Sequence, residues 1–168
     1  MNSKTNWRWF LLKALLLLSL LLPSLCYLGN RYRLGIDPQK SRCLPQRFFL
    51  IDRQNTSLHL GKFYAFRTKN CAPFFQNGTL LVKRLVAGPG DRIAISATKA
   101  EIRINDQLIA IGLPLADKLN RPLAHFAGQR QLPSGEYWFL GECDHSFDSR
   151  YWGAVTEQQI IGRAYVLF

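Results

Sequence analysis

Acidic side chains are the scarce class in this chain. There are 11 Asp and Glu against 22 Lys and Arg in 168 residues, a formal charge of +11. So basic a balance raises nucleic acid as a partner. The basic residues are scattered rather than gathered on one helix, however, and no nucleic-acid-binding motif accompanies them. Membrane lipid is therefore the expected anionic neighbour, with no nucleic acid partner. A spaced His/Cys cluster of the zinc type is also missing, so neither a metal nor an organic cofactor is implied. No repeat or low-complexity segment appears, and the length suits one domain of ordinary size.

What is present begins with a long apolar run. Trp9 to Leu28 is interrupted only by Lys13, Ser19 and Ser24, and about 20 apolar residues suffice to cross a bilayer. The sequence after the leucines, PSLCYLGNRYR, lacks an Ala-x-Ala pattern. Leu25 stands before Cys26, where a lipoprotein site would want a small residue. An uncleaved anchor is the expectation, not a removed signal peptide. Lys4, Arg8 and Lys13 precede or enter the span, and Arg31 and Arg33 follow it, a mild push towards a cytoplasmic N-terminus. The expected organisation is residues 1–29 as cytoplasmic tail and anchor, with residues 30–168 as an extracytoplasmic domain.

Four cysteines remain to be sorted. Cys26 lies in the span. Cys43, Cys71 and Cys143 would face an oxidising compartment. Three is odd, so one pair and one free thiol are expected, and spacing alone does not say which pair forms.

Pro38 and Pro45 make GIDPQKSRCLPQ loop-like. FFLID (48–52), KFYAFRT (62–68), TLLVKRLVA (79–87), RIAIS, EIRIND-QLIAIG, EYWFL and RAYVLF read as strands. Gly88-Pro89-Gly90-Asp91 is a turn and Asn105-Asp106 a hairpin turn. LADKLNRPLAHFAGQR is the least regular stretch. The soluble part is thus mainly β, short-stranded and turn-rich.

Two stretches carry chemistry. Lys83 is flanked by Leu80, Leu81, Val82, Leu85 and Val86. A lysine forced into such surroundings loses its proton more readily and can serve as a base. Strand alternation taken alone would equally send Lys83 to solvent. The second stretch, GECDHSFDSRYWG (141–153), packs two aspartates, two serines, a histidine and an arginine between glycines. Taken alone it could be a surface loop held by an Asp-Arg pair.

Together these stretches resemble the type I signal peptidases, a family of membrane-anchored serine-lysine peptidases. Lys83-Arg84, an apolar stretch and Gly-Pro-Gly-Asp resemble the lysine box, which places Lys83 as general base. Ser146, Asp148 and Arg150 fall on supporting positions of the terminal box. A serine hydroxyl there can hold the amine in line, and an Asp-Arg pair can brace the loop. Cys143 and His145 stand where the family usually carries asparagine, and His145 reads as a loop residue.

The resemblance also implies a nucleophile just after the anchor. In the TraF-type branch, associated with conjugative transfer, a serine sits two residues before a proline. Here that place holds Cys43, in Cys43-Leu44-Pro45, with Ser41 at the oxyanion-helper position. A thiol needs less activation than a hydroxyl, and Lys40 and Arg42 favour the thiolate. A shifted register would make Ser41 the nucleophile instead. A third reading has Cys43 in a disulfide and the protein inactive.

The resemblance thus implies a single-pass protein of the bacterial inner membrane with a catalytic domain in the periplasm. It would cleave the leader of an exported precursor, a pilin-like protein in the TraF-type branch. A general preprotein peptidase and an inactive scaffold subunit of a conjugation or secretion apparatus are the alternatives. The scaffold reading expects Cys43 paired with Cys71 or Cys143.

Overall fold

The computed structural model describes residues 7–37, 43–44 and 46–167. Ser41 and Pro45 lie outside the described residues. The chain starts with one long helix, α1 (Trp7–Arg31). Its most apolar window has a mean hydropathy of 2.1, and none of that window is buried by the rest of the chain. It is long and apolar enough to cross a membrane. The two serine hydroxyls within it are satisfied by the helix itself: Ser19 donates to the Leu16 carbonyl and Ser24 to the Leu20 carbonyl, both at 2.7 Å. Pro23 is accommodated inside the helix without ending it.

The helix passes directly into β1 (Tyr32–Ile36). Then follow β2 (Phe48–Asp52), β3 (Phe63–Arg67), β4 (Leu80–Ala87), β5 (Arg92–Ile95), β6 (Glu101–Ile104) and β7 (Gln107–Ile111). A short helix α2 (Leu123–Phe126) precedes β8 (Gly128–Gln131) and β9 (Glu136–Leu140). Helix α3 (Ser149–Trp152), β10 (Val155–Thr156), a 3-10 turn and β11 (Ile160–Val166) complete it. A seven-stranded sheet runs β1-β2-β11-β3-β4-β9-β10, and a four-stranded sheet runs β7-β6-β5-β8. The paired strands are antiparallel. The domain is mainly β, as expected.

Arg31, at the end of α1, reaches back to β2. Its Nη2 donates to Asp52 Oδ2 at 2.9 Å, and this bond holds the Asp52 carboxyl below its ordinary range against the opposing effect of burial. One ion pair therefore fixes the helix end to the end of β2. Where β11 crosses β2, Gly162 sits at φ +157, and a Cβ there would meet the Asp52 carbonyl carbon at 2.8 Å. On its other side, the pairing of β11 with β3 shifts register between Ile160 and Gly162.

Two of the buried apolar clusters lie along the large sheet. Tyr64, Phe66, Leu85, Phe139 and Val155 form one. Leu44, Phe49, Ile51, Ala65 and Ala164 form the other. The alternation along β3, with Tyr64 and Phe66 in one cluster and Ala65 in the other, is the period-two pattern of a strand covered on both sides. On neighbouring β4 the two phases differ: Lys83 is buried and Arg84 is exposed.

Candidate active site

Lys83 is the residue on which this burial acts. It pairs in register with Tyr64 and shares its alternation with Leu81 and Leu85, which pack in the Tyr64 cluster. Its side chain is left 9% exposed. Arg84, one step along, points the other way, is exposed, and meets Glu142 at 3.5 Å. The alternation that could have sent Lys83 to solvent instead sends Arg84 there.

Burial lowers the Lys83 pKa from its ordinary value. Asp148 and Asp37 act in the opposite direction, and Arg150 adds to the lowering. The amine donates to Ser146 Oγ at 2.9 Å, a buried bond. The amine is thereby aimed, and burial favours its neutral form.

The polar turn after β9 is built around Asp148. Its carboxylate accepts from the Gly141 N–H at 3.0 Å, from the Arg150 N–H at 3.2 Å, and from Arg150 Nε and Nη2 at 2.8 and 2.9 Å. Arg150 Nη2 also donates to the Ser146 carbonyl at 3.1 Å and to that of Asp144 at 3.3 Å. Asp148 is 0% and Arg150 5% exposed. The ion pair therefore holds the backbone of Ser146, which in turn holds Lys83.

Two further residues belong to this support, and neither was singled out from the sequence. Gly141 packs so closely that a Cβ would fall 2.5 Å from Ser146 Cβ and 3.2 Å from Lys83 Nζ. Buried Ser149 accepts from the Phe139 N–H at 3.0 Å, locking α3 onto β9. The opening glycine of the box was the visible signal for the first. Ser149 looked like any loop serine.

Replacing Asp148 by alanine is expected to destabilise the chain by about 3–5 kcal/mol, because it leaves a buried guanidinium without its counter-charge. Urea unfolding of the detergent-solubilised chain measures this. A change under about 1 kcal/mol, the range of an exposed pair, would show that the pair is solvated.

Cys43 and Lys83 line one cavity of about 310 Å³, together with Gly35, Asp37, Leu44 and Phe75 among others. Cys43 is not a free thiol in this structure. It is bonded to Cys143, 100 residues away, with the Cα atoms 4.8 Å apart. The Glu142 N–H donates to the Cys43 carbonyl at 3.1 Å, tying the same two segments. Cys26 and Cys71 are free, so one pair forms among the three cysteines outside the helix, as their odd number required. This pairing is one of the two that the scaffold reading expects. The structure thus brings Cys43, Lys83, Ser146, Asp148 and Arg150 into one region. His145 is an exposed loop residue.

Comparison with known proteins gives the family. The sequence profile described as "Signal peptidase, peptidase S26" matches residues 6–168. A probable signal peptidase I-2 of Synechocystis is 30% identical over 88 residues, 52% of this chain and 37% of that protein. A signal peptidase I of Leptolyngbya laminosa is 33% identical over 89 residues, 52% of this chain and 40% of its own length. A plasmid transfer protein TraF of Escherichia coli is 37% identical over 84 residues, 48% of this chain and 46% of that one. The matched stretch thus spans less than half of each of these relatives. A crystal structure of signal peptidase I from Enterococcus faecalis aligns with a TM-score of 0.39 and 23% identity, over 67% of this chain and 97% of that chain. That likeness is too slight to carry the fold. The match along nearly the whole chain does carry the family: this chain belongs to the signal peptidase family, peptidase S26.

Proposed function

We propose that this chain is a membrane-anchored endopeptidase that cleaves the leader region of exported precursors at the membrane surface. The observation that carries the reading is the buried Lys83 amine, aimed by Ser146 and lining the same cavity as Cys43. In this reading residues 1–29 are the cytoplasmic tail and anchor, and residues 30–168 work in the periplasm at the bacterial inner membrane. In this reading the precursor is conjugative and pilin-like, for which the likeness to two plasmid transfer proteins TraF is the support.

Cys43 is the nucleophile once its disulfide is opened. Lys83 takes the thiol proton, and the thiolate attacks the scissile carbonyl carbon. Ser41 donates to the oxyanion. Collapse breaks the C–N bond while the Lys83 ammonium protonates the departing amine, leaving a thioester on Cys43. Neutral Lys83 then takes a proton from water, the hydroxide attacks the thioester, and the C–S bond breaks. Lys83 returns the proton to the Cys43 thiolate. Ser146 positions Lys83, and the Asp148–Arg150 pair positions Ser146.

The test is cleavage of a synthetic precursor in lipid vesicles. Its apolar leader helix is followed by a small-residue segment at the vesicle surface. The full chain with a dithiol present should release the part beyond that segment. An intact precursor alongside a folded, reduced chain would overturn the reading. Binding without cleavage is what the scaffold alternative expects.

A further inference from the structure

The position of the disulfide bears on when such a site can work. Cys43 lines the Lys83 cavity, whereas Cys143 is not among the lining residues. Cys143 is half-buried, and its neighbours Glu142, Asp144 and His145 are exposed. Cys43 is half-buried as well, so the bond joins a residue of the Lys83 cavity to a turn whose neighbouring residues are exposed. The Ser146 N–H donates to the backbone carbonyl of residue 143 at 3.1 Å, a bond that a change of the Cys143 side chain leaves in place. No other free cysteine competes for either sulfur. Cys71 is 1% exposed, donates to the Lys69 carbonyl, and has its thiol pKa pushed up by burial. Such a thiol is a poor exchange partner. Cys26 is in α1.

We infer that Cys143 is a thiol–disulfide exchange site, that the disulfide is the locked form of the enzyme, and that an external dithiol of the thiol-oxidoreductase class unlocks it. This rests on the reading of Cys43 as nucleophile. A thiolate of the dithiol attacks Cys143 Sγ, forms a mixed disulfide and expels Cys43 as thiolate into the cavity. The second thiol of the reductant then attacks its own sulfur in the mixed disulfide, closes the reductant's disulfide and expels Cys143, which takes up a proton. Two electrons pass from the dithiol to the protein. The other proton is shared by Cys43 and Lys83. The freed Cys43 thiolate is the species that attacks substrate. Attack at Cys143 is the direction that expels the cavity-side sulfur, and which sulfur is attacked decides which thiolate exchange releases.

The experiment uses the full chain in vesicles with the synthetic precursor above. The oxidised wild type, its disulfide verified by intact mass, should be silent. Dithiol treatment should raise cleavage by at least about 100-fold, because only a thiolate can act as nucleophile. Cys143→Ser, and equally Cys143→Ala, should cleave without reductant at the rate of the reduced wild type. Iodoacetamide should alkylate Cys43 in those variants and in the reduced wild type, but not in the oxidised one. The lock is overturned, with the nucleophile intact, if wild type purified without reductant carries a free, alkylatable Cys43 and cleaves fully. It is overturned together with the nucleophile if the verified disulfide form cleaves as fast as the reduced one. Silence of both reduced wild type and the Cys143 variants, with Cys43 alkylated, shows that the nucleophile reading itself has failed.

Discussion

Lys83→Met should leave the chain folded and lower precursor cleavage by about 10²–10⁴-fold, the usual worth of a positioned general base. Methionine is an unbranched, adaptable side chain that fits a lysine-shaped space, so the loss tests chemistry and not packing. Stability at neutral pH should hold or rise, since a buried amine with a lowered pKa is itself a cost. Against that stands the Ser146 hydroxyl, which loses its donor at a cost of roughly 1–3 kcal/mol. The pH dependence has a definite sign. The reaction needs the neutral amine, so cleavage rises as pH rises through the folded pKa of Lys83, which burial places below the ordinary lysine value. With a thiol as partner, the limb belongs to the Cys43–Lys83 pair. Linkage runs the same way. Between the lowered folded pKa and the ordinary value, the unfolded lysine holds a proton that the folded one has released. Wild type therefore gains stability relative to Lys83→Met as pH rises through that window. Unimpaired cleavage by Lys83→Met would remove the dyad from the account.

Much of this was legible in the sequence, for physical reasons that differ by element. FFLID matches β2 to the residue, because apolar side chains bounded by loop residues have no competing helical period. Asn105 and Asp106 both take positive φ, +49 and +67, the requirement of a tight hairpin that these residue types tolerate. The long apolar run became a helix, longer at each end than its leucines. Strand β8 was missed. Gly128–Gln131 is exposed throughout, so no apolar pattern marks it, and only its backbone pairing with β5 makes it a strand. Strand β1 was missed likewise, since Tyr32–Ile36 follows the helix directly and holds its place by pairing with β2.

The site divides in the same way. Alternation around Lys83 was ambiguous, because a period of two does not say which of Lys83 and Arg84 takes the buried phase. The turn Gly88–Asp91 and the dibasic pair settled it through resemblance. The Cys43–Cys143 bond was beyond the sequence, since a contact across 100 residues follows from the sheet order and leaves no local trace. The support that Gly141 gives by having no side chain is also a property of the packed site alone.

The second large effect concerns the nucleophile. Cys43→Ala should lower cleavage by about 10³-fold or more, and the double variant with Lys83→Met should fall little further, because residues that act as a unit are not additive. Ser41→Ala should cost about 10²–10³-fold through loss of one oxyanion donor, with covalent attack on substrate preserved. Ser41 is the alternative nucleophile, so these two variants divide the readings more sharply than any others. If Cys43 served only as a clamp, its alanine variant would lose stability but keep its chemistry, and Ser41→Ala would be the silent one. The decisive measurement is therefore single-turnover cleavage of the vesicle-bound precursor by reduced wild type, Cys43→Ala and Ser41→Ala, with each chain shown to be folded. The account predicts a silent Cys43→Ala and a slow but active Ser41→Ala. A Cys43→Ala chain that cleaves at the wild-type rate beside a silent Ser41→Ala would contradict it.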